Sequence, residues 1–196
     1  MKNKLLLLFF LLGVFFPLSA QESEVLISTS HTSLLLSTSQ GGELKFLYYG
    51  RKLTDADVHA IVSTESGSFS AYPVYGLNCP SESALSVQHE DGNMTLQMEV
   101  IGVETTHQEK ANLTVISLKD KVYPFYVKLC YKAYQDVDVI EAWTEISHKE
   151  KKNVKLNQFA SAYLPVRKGN VWLSSLYGAW ANEARLVQEP LEPGMK

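Results

Sequence analysis

The sequence has 196 residues, of which 45% are hydrophobic and 20% charged. That composition excludes a disordered tail, a collagen-like repeat and a disulfide-dense scaffold. Eighteen basic residues against 21 acidic ones give a formal charge of −3. Without a basic cluster to neutralise phosphates, nucleic acid is excluded as a partner.

The chain opens on a secretory pattern. Lys2 and Lys4 precede an apolar run over 5–16 that is interrupted only by Gly13. Pro17-Leu18-Ser19-Ala20 then supplies a helix breaker and a small residue for cleavage before Gln21. These twelve residues fall short of the roughly 20 that span a bilayer. The reading is a signal peptide over 1–20 and a mature chain over 21–196 that is exported, periplasmic or extracellular, and free of membrane after cleavage.

Beyond the leader the dominant signal has period two. Runs over 25–29, 34–38, 43–49, 84–89, 94–100, 113–118, 123–131, 139–146, 154–163 and 171–176 read as strands. The clearest places Tyr123, Phe125, Val127, Leu129 and Tyr131 on one face, with Lys128 on the other. Gly, Asp and Asn punctuate the runs, and Asp91-Gly92 is the strongest hairpin signal. A short helix within 54–64, capped by Thr54 with Asp55 and Asp57 in its first turn, is the one helical candidate. Val58, Ile61 and Val62 also suit a strand there. About ten strands and almost no helix describe an all-β antiparallel sandwich, and 21–196 read as one domain.

No arrangement of catalytic groups follows from the spacing. Glu141 and Glu145 on one strand face stand about 13 Å apart at 3.3 Å per residue. That is beyond the 6.5–9.5 Å of inverting glycosidases, so they read as a solvated face. No Gly-x-Ser-x-Gly occurs. The five histidines and two cysteines lack metal-ligand spacing, so no metal and no cofactor are expected. Cys79 and Cys130 are either a disulfide or two thiols. Asn93 and Asn112 begin formal glycosylation sequons. Trp143 reads as packing more readily than as part of a sugar platform with Trp172 and Trp180.

One segment carries the equipment to hold a polyol. Tyr48-Tyr49-Gly50-Arg51-Lys52-Leu53-Thr54-Asp55-Ala56-Asp57 brings together aromatics, cations and carboxylates. Aromatic faces cover the apolar side of a sugar and carboxylates accept its hydroxyl protons. Tyr49, Asp55 and Asp57 are therefore the candidate substrate-binding residues, with a capped turn and surface charges as the alternative.

Several segments, in order, resemble the N-terminal β-sandwich domain of family 36 α-galactosidases in the glycoside hydrolase classification, of the exported Bacteroides type. They are Leu47-Tyr48-Tyr49-Gly50-Arg51-Lys52-Leu53, Tyr72-Pro73-Val74-Tyr75-Gly76, Asp138-Val139-Ile140-Glu141-Ala142-Trp143-Thr144-Glu145-Ile146, Leu156-Asn157-Gln158-Phe159-Ala160-Ser161-Ala162, Leu176-Tyr177-Gly178-Ala179-Trp180-Ala181-Asn182-Glu183 and Leu191-Glu192-Pro193-Gly194. The resemblance implies a galactose-mutarotase-like supersandwich, incomplete at its C-terminus, that precedes a (β/α)₈ barrel and a small β domain. It implies retaining hydrolysis of terminal α-linked galactose by two barrel aspartates that these residues do not include, without metal or organic cofactor. It also implies α-galactosides and homo-oligomeric contacts as partners of the full-length enzyme, with this stretch inactive alone. The segment after Tyr48-Tyr49-Gly50 is similar to one that lends residues to the sugar pocket, which again selects Asp55 and Asp57. A standalone carbohydrate- or protein-binding module, working through Tyr48, Tyr49 and Trp172, is the alternative.

Overall fold

The structure, a computed structural model, describes residues 23–39, 41–64, 69–76, 82–166 and 169–191. The leader over 1–20 and Cys79 lie outside the described residues. The chain divides after Tyr163 into two compact units. The first holds β1 (Ser23–Ser28), β2 (Thr32–Thr38), β3 (Leu44–Arg51), α1 (Asp55–Ser63), β4 (Phe69–Ser70), β5 (Leu85–Gln88), β6 (Met98–His107), β7 (Ala111–Asp120), β8 (Phe125–Tyr134), β9 (Val139–His148) and β10 (Lys155–Phe159). The second holds a hairpin of β11 (Trp172–Ala179) and β12 (Asn182–Pro190).

Two four-stranded antiparallel meanders, β1-β2-β3-β4 and β6-β7-β8-β9, make the sandwich, and β5 pairs with β10. Alternation decides what they bury. Val25, Ile27, Leu34, Leu36, Leu44 and Phe46 from the first sheet share one core with Ile116, Leu118, Phe125, Val127, Leu129 and Tyr131 from the second. The all-β antiparallel sandwich follows from that pairing and core.

β2 explains an apolar run that simple alternation does not. Leu34 and Leu36 face the sandwich core, whereas Leu35 belongs to a second cluster with Leu47 and Val58. That cluster places α1 over the outer face of the first sheet, so β2 is buried on both sides and all three leucines are needed. The helix forms where expected because Thr54 completes a capping box with Asp57 and acidic residues fill its first turn.

Buried polar groups of the first unit are largely paired, although His89 Nε2 has no hydrogen-bond partner among the described residues. Asp120, fully buried, accepts the backbone N–H groups of Gln97 at 2.6 Å and of Val122 and Tyr123 at 2.8 Å, which closes the β7–β8 turn. His89 Nδ1 lies 2.8 Å from Glu150 Oε1, both side chains are buried, and the imidazole stacks on Tyr123 at 3.7 Å.

Several expectations need correction. Asp91-Gly92 does form a turn, with His89 N–H donating to Asn93 O at 2.8 Å. It does not join a hairpin, since β5 pairs with β10 and β6 with β7. The run over 94–100 becomes strand only from Met98 and continues to His107. The run over 154–163 is strand only over Lys155–Phe159. β12, rich in exposed polar residues, carried no periodic signal of burial.

Candidate functional site

The candidate segment runs from the end of β3 into α1. A β-bulge at Leu47 sets its geometry: Leu35 is opposite Tyr48, and Leu36 opposite Phe46. The extra residue turns both Leu47 and Tyr48 to the helix side, where both pack in the second cluster. Tyr49, opposite Leu34, consequently faces the other way and is half exposed.

A shallow depression of about 280 Å³ lies beside the helix, lined by Tyr48, Arg51, Lys52, Leu53, Asp57, Ala60 and Ile61. Tyr48 is fixed in it by a hydrogen bond from its hydroxyl to Arg51 O at 2.9 Å. Its ring lies over Gly50, where a Cβ would come within 2.7 Å of the Tyr48 hydroxyl. A side chain at this position would push the Tyr48 ring away from its hydrogen bond.

Asp57 edges the depression and caps the helix at once. Its Oδ2 accepts from Thr54 N at 2.9 Å and from Thr54 Oγ1 at 2.7 Å. Those bonds, the backbone one foremost, with the Arg51 charge added, hold its carboxyl below the ordinary carboxylate range. Oδ1 has no partner among the described residues and faces a solvated surface. Asp55 occupies the first position of α1 and is exposed outside the depression.

The structure thus brings Asp57 together with Tyr48, Arg51 and Lys52, and separates Tyr49 onto the opposite face of the sheet. Arg51 and Lys52 are the residues the sequence reading did not single out, and Tyr48 entered it only through the standalone-module alternative. The Tyr48-x-x-Arg51 spacing was visible, but a bulge that redirects Tyr48 has no local signature. An ionised carboxylate that accepts, cations that donate and a fixed phenol ring suit a ligand dense in hydroxyls.

The other candidates resolve differently. Glu141 accepts from Tyr134 Oη at 2.9 Å and Glu145 from Trp143 Nε1 at 3.3 Å, each on an exposed strand face. Trp143 is opposite Cys130, between the core positions Leu129 and Tyr131, so it lies on the outer face of its sheet instead of in the core. Burial pushes the Cys130 thiol pKa up, with the Glu145 charge adding to it. Trp172 and Trp180 stand exposed on the hairpin of the second unit. Among the described residues no three His, Cys, Asp or Glu side chains cluster as a metal site, and no helix is long and apolar enough to cross a membrane.

The class of protein this fold defines is an antiparallel β-sandwich domain with a mixed-charge depression at its margin. The profile of the glycosyl hydrolase family 36 N-terminal domain matches residues 42–196, and the chain belongs to that family. Solved structures agree at the level of the fold. The α-galactosidase from Lactobacillus brevis is 20% identical, with a TM-score of 0.80 over 92% of this chain and 29% of that one. A variant of α-galactosidase AgaA from Geobacillus stearothermophilus, solved in complex with raffinose, is also 20% identical, with a TM-score of 0.80 over 88% of this chain and 28% of its own. AgaB from the same organism is 22% identical, with a TM-score of 0.76 over 89% and 28%. The chain therefore spans less than a third of these relatives' length. No curated protein sequence matches it.

Proposed function

We propose that the chain is the non-catalytic N-terminal sandwich of an exported α-galactosidase, periplasmic or extracellular, that contributes contacts to a saccharide. In this reading 1–20 is a cleaved leader and 21–196 form one sandwich domain. The chemistry is left to two aspartates on a barrel elsewhere in the longer protein. The match of the family 36 N-terminal profile across residues 42–196 carries the proposal. A relative solved with raffinose supports an α-galactoside as the ligand class. The contact surface is the depression beside α1, where Asp57 accepts hydroxyl protons and Arg51 and Lys52 donate. Asp55 at the helix start and Tyr49 on the opposite sheet face lie outside it.

Purified 21–196 is expected to leave a chromogenic α-galactoside unhydrolysed while binding raffinose weakly, in the millimolar range, because few groups contribute. Asp57→Asn is expected to weaken that binding, while Thr54→Ala, which breaks the cap and keeps the carboxylate, does not. Turnover by the isolated chain would contradict the non-catalytic role. Equal raffinose affinity in Asp57→Asn would contradict the sugar contact.

A further inference from the structure

The outer face of the β6-β7-β8-β9 sheet carries a second group of aromatic and charged side chains. Trp143 is opposite Cys130 across β8 and β9. Two residues to either side, Glu145 is opposite Lys128 and Glu141 is opposite Lys132. These positions alternate with the core residues Leu129 and Tyr131, so all of them project away from the core. The indole therefore sits between two rows of opposite charge.

These side chains are held in place by one another. Trp143 Nε1 donates to Glu145 Oε1 at 3.3 Å, and the Cys130 thiol donates toward the same oxygen at 4.0 Å. Cys130 keeps only 2% exposure although it lies on the outer face. Its neighbours close over it, and the indole meets it at the shared oxygen. Trp143 is itself half-buried, as befits a ring with one side on the sheet and the other toward solvent. Tyr134 Oη donates to Glu141 Oε2 at 2.9 Å, and the Lys132 ammonium lies 5.1 Å from the centre of the Tyr134 ring. The second oxygen of each glutamate and the Lys128 ammonium have no hydrogen-bond partner among the described residues.

The spacing that rules out catalysis suits binding. Glu141 and Glu145 stand about 13 Å apart along β9, too far for both to act on one glycosidic bond. Trp143 lies midway, about 7 Å along the strand from each. A pyranose laid with its C–H face on the indole would direct its hydroxyls outward to both rows, where carboxylates accept and an ammonium donates. A protein surface laid here would strip water from these charges at a cost. A polyol instead returns a hydrogen bond to each. Because the ring and both carboxylates are fixed before a ligand arrives, little ordering cost remains.

We infer that the outer face of β8 and β9 is a second saccharide-binding surface, on which Trp143 stacks against a pyranose ring while Glu141, Glu145 and Lys128 bond its hydroxyls. The ligand class is a neutral pyranoside. This surface belongs to the sheet that α1 does not cover and shares no residue with the depression. It has only the ligand class in common with the sugar contact proposed above.

Indole N–H spectra of purified 21–196, titrated with raffinose, test this. The Trp143 signal, assigned by its loss in Trp143→Phe, is expected to move saturably, with Trp172 and Trp180 as unmoved references. Lys128→Met keeps the side-chain stem and removes the donor. It should weaken binding, read at Trp143, by about fivefold, the worth of one hydrogen bond. Trp143→Ala should weaken it by about tenfold, read from the amides of β8 and β9, as the stacking is lost. Equal movement of all three indoles, or parental affinity in Lys128→Met, would overturn the inference. If Trp143 stays fixed while the amides over 48–57 shift, this inference falls and the contact at the depression stands. If Trp143 moves and 48–57 do not, the depression falls and this surface stands. If neither responds, both fall.

Discussion

Asp57 serves the fold and, in the proposed reading, a ligand through different oxygens. Oδ2 is committed to Thr54, and the cap it completes starts the only helix among the described residues. Oδ1 has no hydrogen-bond partner among the described residues, and the proposed sugar contact falls to it. Thr54→Ala should cost about 1 kcal/mol, read as a lower urea midpoint at unchanged slope. At Asp138 the direction of pH dependence follows from its bonds to Thr29 and His31, which lower its pKa in the fold. A carboxyl lowered in the folded state stabilises above its unfolded pKa of about 3.9 and loses that contribution as pH falls through the folded value. The melting-temperature gap between parent and Asp138→Asn should therefore be full at pH 7 and close below about pH 4. A gap that widens toward acid would contradict the assignment. At the buried pair, Glu150→Ala strands His89 in the core and should cost about 3 kcal/mol by denaturant titration. The sequence makes Asp57 legible because its cap is local. It hides His31 and Asp138, since 107 residues separate them and only the folded sandwich brings their turns together.

Elements differ in how well their patterns survive in sequence. β7, β8 and β9 belong to a sheet with one face on the core, so alternation marks them plainly. β6 beyond Val100 is exposed on both faces, and β12 almost throughout, so neither carries a period. β2 reads as a continuous apolar run because a helix covers its second face. Leu35→Ala, at a position with no exposed surface, should therefore cost 2–5 kcal/mol, roughly, and loosen α1. Leu176→Ala, on the hairpin at 72% exposure, should change stability by less than about 0.5 kcal/mol. Equal costs at the two sites would contradict the burial described here. The bulge at Leu47 is the costliest gap in the reading. A shift of one residue exchanges the faces of Tyr48 and Tyr49, and nothing in Leu47-Tyr48-Tyr49-Gly50 announces it.

At the scale of the whole molecule, the sandwich concentrates its stability in the first unit. A two-stranded hairpin alone is marginal in water, and β11–β12 exposes Trp172, Leu176, Tyr177, Trp180 and Leu186. Amide exchange should accordingly be fastest in β11 and β12 and slowest in β7 and β8. The family is established across residues 42–196, and its fold was readable from alternation and turn chemistry. The division of labour within a longer enzyme is the claim that remains to be measured. Backbone amide shifts of 21–196, titrated with raffinose, address it most directly. Saturable shifts over 48–57, with no galactose released during the titration, are the predicted result. Shifts confined to β11 and β12, or release of galactose by the chain itself, would contradict the account.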